Sequence, residues 1–155
     1  MSADPARARL RLWLRLLATT NEIERVLRRR MRAEFGTTLP RFDVMAALDR
    51  APGGLSMSEL SRHLMVTNGN TTTLVAALER DGLVARSVSP TDRRSFSVAL
   101  TAAGRASFEQ MAAGHARWVS ELLADVDADD AERLSRSLHE AREAIRASAL
   151  AGGVR

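Results

Sequence analysis

Between Ser56 and Thr101 the sequence divides into four short segments whose order few folds can satisfy. Ser56 and Glu59 have the S-x-x-E spacing of a capping box, which predicts a helix over Ser56–Leu64 with Leu60 and Leu64 as its apolar stripe. A turn follows at Met65-Val-Thr67. Thr67 or Asn68 can then cap a second helix running to Asp81, and Gly82 stands where a left-handed residue is wanted after a helix. Two strand-like runs come next, Leu83–Val88 and Ser95–Leu100, on either side of a polar tip, Ser89-Pro-Thr-Asp-Arg-Arg94. In the second run Phe96, Val98 and Leu100 alternate with Ser95, Ser97 and Ala99, the period of a half-buried strand. Helix, turn, helix, hairpin is the order of a winged helix-turn-helix, which sets one helix in the major groove of DNA.

The second helix has two different faces. Thr71, Leu74, Val75 and Leu78 recur at helical spacing and are expected to pack on the neighbouring helix. The opposite face carries Asn68, Asn70, Thr72, Thr73, Ala76 and Arg80, short polar groups near a helix N-terminus, where base edges and phosphates are met. The candidate DNA contacts on this helix are Asn68, Asn70, Thr71, Thr72 and Thr73, Thr71 also belonging to the packing stripe. At the tip, Asp92 and Arg94 are two apart and leave an extended segment on the same side. The carboxylate can hold the guanidinium in one orientation, suited to a narrow minor groove. Arg86 and Arg93 are expected on phosphates.

The flanks are helical. Residues 5–35 read as one long helix ended by Gly36, with the stripe Leu10, Trp13, Leu14, Leu17 continued by Ile23, Val26, Leu27 and Met31. Pro40 fits the first turn of a helix holding Phe42, Val44, Met45 and Leu48, and Pro52-Gly-Gly54 stops it. Thr101 can cap a helix with Phe108, Met111, His115, Trp118, Val119, Leu122 and Leu123 on one face. Asp127 or Asp129 caps the last helix, with the stripe Leu134, Leu138, Ala141 and Ile145. The expected class is mainly α: an N-terminal dimerisation helix over 1–36, a winged helix-turn-helix with a two-stranded β wing over 37–101, C-terminal dimerisation helices over 102–150, and a disordered tail over 151–155. Long apolar stripes must be covered. A second copy of the chain is the simplest cover. A two-fold homodimer then expects a palindromic operator with half-sites about 10 base pairs apart.

Composition narrows the functions. With no cysteine, disulfides, thiolate metal sites and cysteine redox sensing are excluded. No run approaches the roughly 18 apolar residues of a membrane span, and Arg7, Arg9, Arg11 and Arg15 interrupt any signal-peptide core, so a cytoplasmic protein is expected. His63, His115 and His139 have no metal-site spacing, and neither G-x-S-x-G nor a P-loop is present. No enzyme, metal or cofactor is expected. All 23 cations are arginine, set against 19 acids. Residues 1–50 hold 11 arginines and 6 acids, residues 51–100 hold 5 and 4, and residues 101–155 hold 7 and 9. The basic excess therefore lies in the first helix and not in the presumed reading head.

Asp92-Arg-Arg-Ser-Phe-Ser-Val-Ala-Leu-Thr101 closely resembles the wing signature D-x-R-x-x-x-V-x-L-T of the MarR family of bacterial regulators, and Gly82-Leu-Val-Ala-Arg86 resembles the G-L-V-x-R that precedes it. Order and spacing agree over roughly residues 10–150. The resemblance implies a triangular dimer, and effectors bound between the dimer helices and the winged domain that change the separation of the two recognition helices. The family's peroxide-sensing branch needs a cysteine that is absent here. Its urate-type branch carries arginines where this chain has Ser87 and Ala99. Leu10–Leu17, Thr38–Met45 and Leu64–Asn70 are similar to the branch responding to hydroxycinnamoyl-CoA thioesters.

That resemblance implies effector contacts among Trp13, Leu17, Arg28, Arg41, Phe42, Met45, Met65, Phe108 and His115. The aromatic and methionine residues have a second reading, as core and dimer interface. The run Arg25, Arg28, Arg29, Arg30 and Arg32 has three: a solvated face, DNA phosphates, or effector phosphates. The sequence thus points to a ligand-responsive DNA-binding repressor released by a small aromatic effector, an aromatic acyl-CoA thioester in that branch. The alternative is a dimeric helical protein-interaction module without sequence-specific DNA binding.

Overall fold

The computed structural model describes residues 4–64, 68–88 and 96–152. Along the chain it forms α1 (Pro5–Phe35), α2 (Leu39–Asp49), β1 (Leu55–Ser56), α3 (Met57–Leu64), α4 (Asn68–Arg80), β2 (Val84–Val88), β3 (Phe96–Leu100), α5 (Ala102–Leu122) and α6 (Ala128–Gly152). Two compact units result, residues 1–119 and 120–155. No helix among the described residues is long and apolar enough to cross a membrane.

Local chemistry sets most boundaries. Asp4 caps α1 by accepting from the Ala6 N–H at 3.0 Å, with Pro5 in the first turn. The predicted capping box is formed at α3: the Ser56 N–H donates to Glu59 Oε2 at 2.8 Å, and the Glu59 N–H donates to Ser56 Oγ at 3.2 Å. These bonds hold the Glu59 carboxyl below the usual carboxylate range. At the end of α4, Leu83 N–H reaches the Leu78 carbonyl at 2.9 Å and Gly82 N–H the Glu79 carbonyl at 3.0 Å. This is a Schellman closure, with Gly82 at φ 72°, a left-handed backbone conformation that L side chains rarely adopt. Asp127 caps α6, accepting from the Asp129 N–H at 2.9 Å.

The core of the first unit lies under the winged module. Val44, Met45 and Leu48 of α2, Leu60 of α3, Val75 and Leu78 of α4 and Val98 of β3 are all buried, and Leu27 and Met31 of α1 join them in the buried interior. Phe35 packs on Trp118 with ring centroids 5.9 Å apart. Thr101 links the sheet to α5: its hydroxyl donates to the Gly82 carbonyl at 2.7 Å and accepts from the Gly104 N–H at 3.0 Å. Gly104 lies so close to the residue that precedes β2 that an added Cβ would fall 1.8 Å from the Leu83 carbonyl oxygen.

The two-stranded wing is present as β2 and β3, with one short strand added to it, and two other expectations are corrected. The sheet has three strands, in the order β1-β3-β2, all antiparallel. Its extra strand is only Leu55–Ser56, paired with Val98 and Ser97, too short to show an alternation. Phe96 is exposed rather than half-buried, at the far end of the hairpin opposite an equally exposed Val88, beyond the reach of the core. And α6 continues through Gly152, two residues into the expected tail, with 153–155 outside the described residues.

Candidate nucleic-acid interface

α4 is held to α3 by buried groups. Val75 and Leu78 are fully enclosed, and Ser61 Oγ donates to Thr71 Oγ1 at 3.0 Å in a buried pair. Such a bond is costly to break in the interior, because it leaves one hydroxyl unsatisfied. Asn70, Thr72, Thr73, Ala76 and Arg80 lie on the solvent-exposed face. The helix therefore offers a short polar surface from a rigid mount, as an element entering a groove must.

Thr71 is removed from the candidate contacts: it is fully buried and its hydroxyl is engaged by Ser61. Its place on the packing stripe outweighs its polar side chain. Arg86 is on β2 and forms an ion pair with Glu79 of α4 at 3.2 Å, so a phosphate there would have to share the guanidinium with a carboxylate. Adjacent residues on different elements gave no sequence signal for that pair. The side chain of Asn68 and all of Met65, Asp92, Arg93 and Arg94 lie outside the described residues.

The candidate effector residues separate into groups. Phe42 is stacked on both Phe108 (centroids 5.5 Å, 24°) and His115 (4.8 Å, 22°), and Met45 is buried beside it in α2. Burial pulls the His115 pKa below its ordinary value, so the imidazole in this stack favours the neutral form. Arg41 is ion-paired with Asp81 just past the end of α4, its Nε buried without an acceptor among the described residues, and so ties α2 to the end of α4. Arg28 pairs with Glu24 at 2.6 Å. Trp13 and Leu17 are not gathered into the stack: Trp13 is 57% exposed and Leu17 40%. No cluster of three or more His, Cys, Asp or Glu side chains is placed to hold a metal among the described residues.

Comparison with known proteins agrees with this geometry. The model of the MarR family matches residues 35–95. The transcriptional activatory protein BadR of Rhodopseudomonas palustris is 36% identical over 132 residues, 83% of this chain and 73% of BadR. The HTH-type transcriptional repressor Rv2887 of Mycobacterium tuberculosis is 45% identical over 71 residues, 46% of this chain and half of that protein. Among solved structures, a MarR family transcriptional regulator from Silicibacter pomeroyi superposes with a TM-score of 0.79 at 38% identity, covering 93% of this chain and 99% of that one. Sco3205 of Streptomyces coelicolor, solved in complex with DNA, shares the fold with a TM-score of 0.78 at 22% identity, over 93% of this chain and 91% of its own.

Proposed function

The chain belongs to the MarR family of DNA-binding transcriptional regulators, which are not enzymes, and from that premise we propose that it acts as a homodimeric repressor released by a small aromatic ligand. The observation that carries the DNA reading is α4, with one face locked into the core through Thr71, Val75 and Leu78 and the other open through Asn70, Thr72 and Thr73. Asn70 reads a base edge, Thr72 and Thr73 meet bases or phosphates, and Arg94, oriented by Asp92, enters the minor groove beside Arg93.

The dimer is supported by apolar faces that the single chain leaves open. On α1, Leu10, Leu12, Trp13, Leu14 and Leu17 are exposed; in the second unit, so are Leu123, Val126, Leu134, Leu138 and Ile145. Large exposed apolar faces mark association surfaces. Residues 1–36 and 102–150 then dimerise, and residues 37–101 read a palindromic operator. The effector is a small aromatic ligand, an aromatic acyl-CoA thioester of the hydroxycinnamoyl class by resemblance, and its ring enters beside Phe42, Phe108 and His115, an aromatic stack that joins α2 to α5.

BadR, similar over most of the chain, is named an activatory protein, and this favours a second reading in which the same complex activates. Operator position sets that sign, and transcription in vitro from a template carrying the operator distinguishes the two. The function is tested by fluorescence anisotropy on the DNA upstream of the protein's own gene, at two salt concentrations, with and without p-coumaroyl-CoA. Tight, salt-sensitive binding abolished by the thioester is expected. Binding indifferent to salt would favour the protein-interaction alternative, and binding indifferent to the thioester would discard that effector class.

A further inference from the structure

The basic excess of residues 1–50 is remote from α4 in sequence, but the fold brings part of it to the recognition helix. A cavity of about 260 Å³ opens between the C-terminal half of α1, the start of α2 and α4, lined by Arg28, Arg32, Thr38, Asn70 and Leu74 among others. Among the described residues its charged side chains are both arginines, and no carboxylate lines it. Arg28 and Arg32 are one turn apart on one face of α1. Arg28 shares its charge with Glu24, whereas Arg32 is exposed and has no acidic partner among the described residues. α2 also begins here, with Thr38 accepting from the Arg41 N–H, so the positive end of that helix adds to the potential. The larger cavity between α2 and α3, about 310 Å³, mixes Asp43 with Arg50 and His63 and has no such bias.

We propose that the cavity between α1, α2 and α4 is a phosphate site, in which Arg28 and Arg32 grip a backbone phosphate of the operator beside the base met by Asn70. A guanidinium fork matches a phosphate in two hydrogen bonds, and two forks around one small cavity fix its position. Asn70 belongs both to the exposed face of α4 and to the lining of this cavity. A phosphate seated there is therefore continuous with the groove that α4 enters, which favours DNA over a free anion. This rests on the DNA-binding reading above. It also gives two of the first-helix arginines a role outside the winged module: the contact positions α4 and carries no sequence information.

The test is the salt dependence of affinity, for operator and for an unrelated duplex, in wild type, Arg32→Ala and the double variant Arg28→Ala/Arg32→Ala. Circular dichroism confirms that each folds. Each arginine removed is expected to lower the slope of log affinity against log salt by about 1, weakening both duplexes by the same factor. Between 50 and 200 mM salt the double variant then loses about ten-fold less affinity than wild type. Arg32→Lys, which keeps the charge, is expected to keep the slope. An unchanged slope in the double variant overturns the proposal while leaving DNA binding intact. So does a loss confined to the operator, which would make the arginines base contacts. A melting temperature raised by inorganic diphosphate, with the DNA slope unchanged, assigns the cavity to a free phosphorylated ligand and also overturns the clamp. If wild type binds neither duplex, the DNA-binding reading fails and takes this inference with it.

Discussion

Two parts of the molecule treat similar side chains in opposite ways. In α3, α4 and the middle of β3 the apolar residues are covered by the chain itself: Leu60, Val75, Leu78 and Val98 are all fully buried. In the first half of α1, and separately in α6, equally regular stripes stay open, with Leu14 at 53% exposure and Ile145 at 68%. All these helices are amphipathic, so periodicity alone does not separate them. A 3.6-residue period reports that a face is apolar and is silent on whose surface covers it.

The sharpest way to break this contrast is to make the same change on both sides. Leu60→Ala is expected to cost about 2–5 kcal/mol in urea unfolding, as for any enclosed leucine. Leu14→Ala would cost under about 0.5 kcal/mol on an uncovered helix. On a dimer interface it costs more, and the melting temperature depends on protein concentration in wild type and variant alike. The dimer predicts the second behaviour, checked by unfolding at several concentrations alongside sedimentation equilibrium. A concentration-independent, neutral Leu14→Ala would leave α1 without a partner copy.

Smaller effects test the winged side alone. Gly104→Ala is expected to destabilise by about 1–3 kcal/mol, because the added Cβ meets the Leu83 backbone rather than a side chain that can turn away. Thr101→Val removes the hydroxyl that joins Gly82 to Gly104 and should cost about 1–2 kcal/mol. Ser56→Ala removes the cap of α3 and should cost about 1 kcal/mol. All three are read as shifts in the urea midpoint.

The smallest effect depends on pH. Burial lowers the His115 pKa in the folded chain, so the unfolded chain binds that proton more readily. The contribution is intact above the ordinary histidine value of 6.5 and is lost as pH falls below it. His115→Gln should flatten the loss of thermal stability between neutral and mildly acidic pH. An unchanged profile would separate the Phe42 stack from that dependence.

What was legible in the sequence was local. Ser56 with Glu59, Gly82 after α4, and Thr101 before α5 each act within a few residues, and each stands where its spacing placed it. What was not legible joins distant segments. β1 exists only because β3 lies beside it, and Gly104 matters only because Leu83 is against it. Arg86 finds Glu79, and Arg41 finds Asp81, across elements that no local pattern connects. In the candidate site, the open face of α4 was legible from the helical period, and Thr71 was misplaced among the contacts because a threonine suits both a groove and a buried hydroxyl pair. That the first-helix arginines share a cavity with Asn70 has no sequence signature at all.

The most direct test of a dimer reading DNA through two copies of α4 is to let the protein select its own site from a pool of random duplexes and to sequence what it retains. The expected result is one enriched inverted repeat, its half-sites centred about 10 base pairs apart, since two-fold protein symmetry imposes the same symmetry on the operator. Enrichment of a single asymmetric motif would contradict the dimeric arrangement. No enrichment, from a protein shown to be folded, would contradict sequence-specific reading by α4 itself.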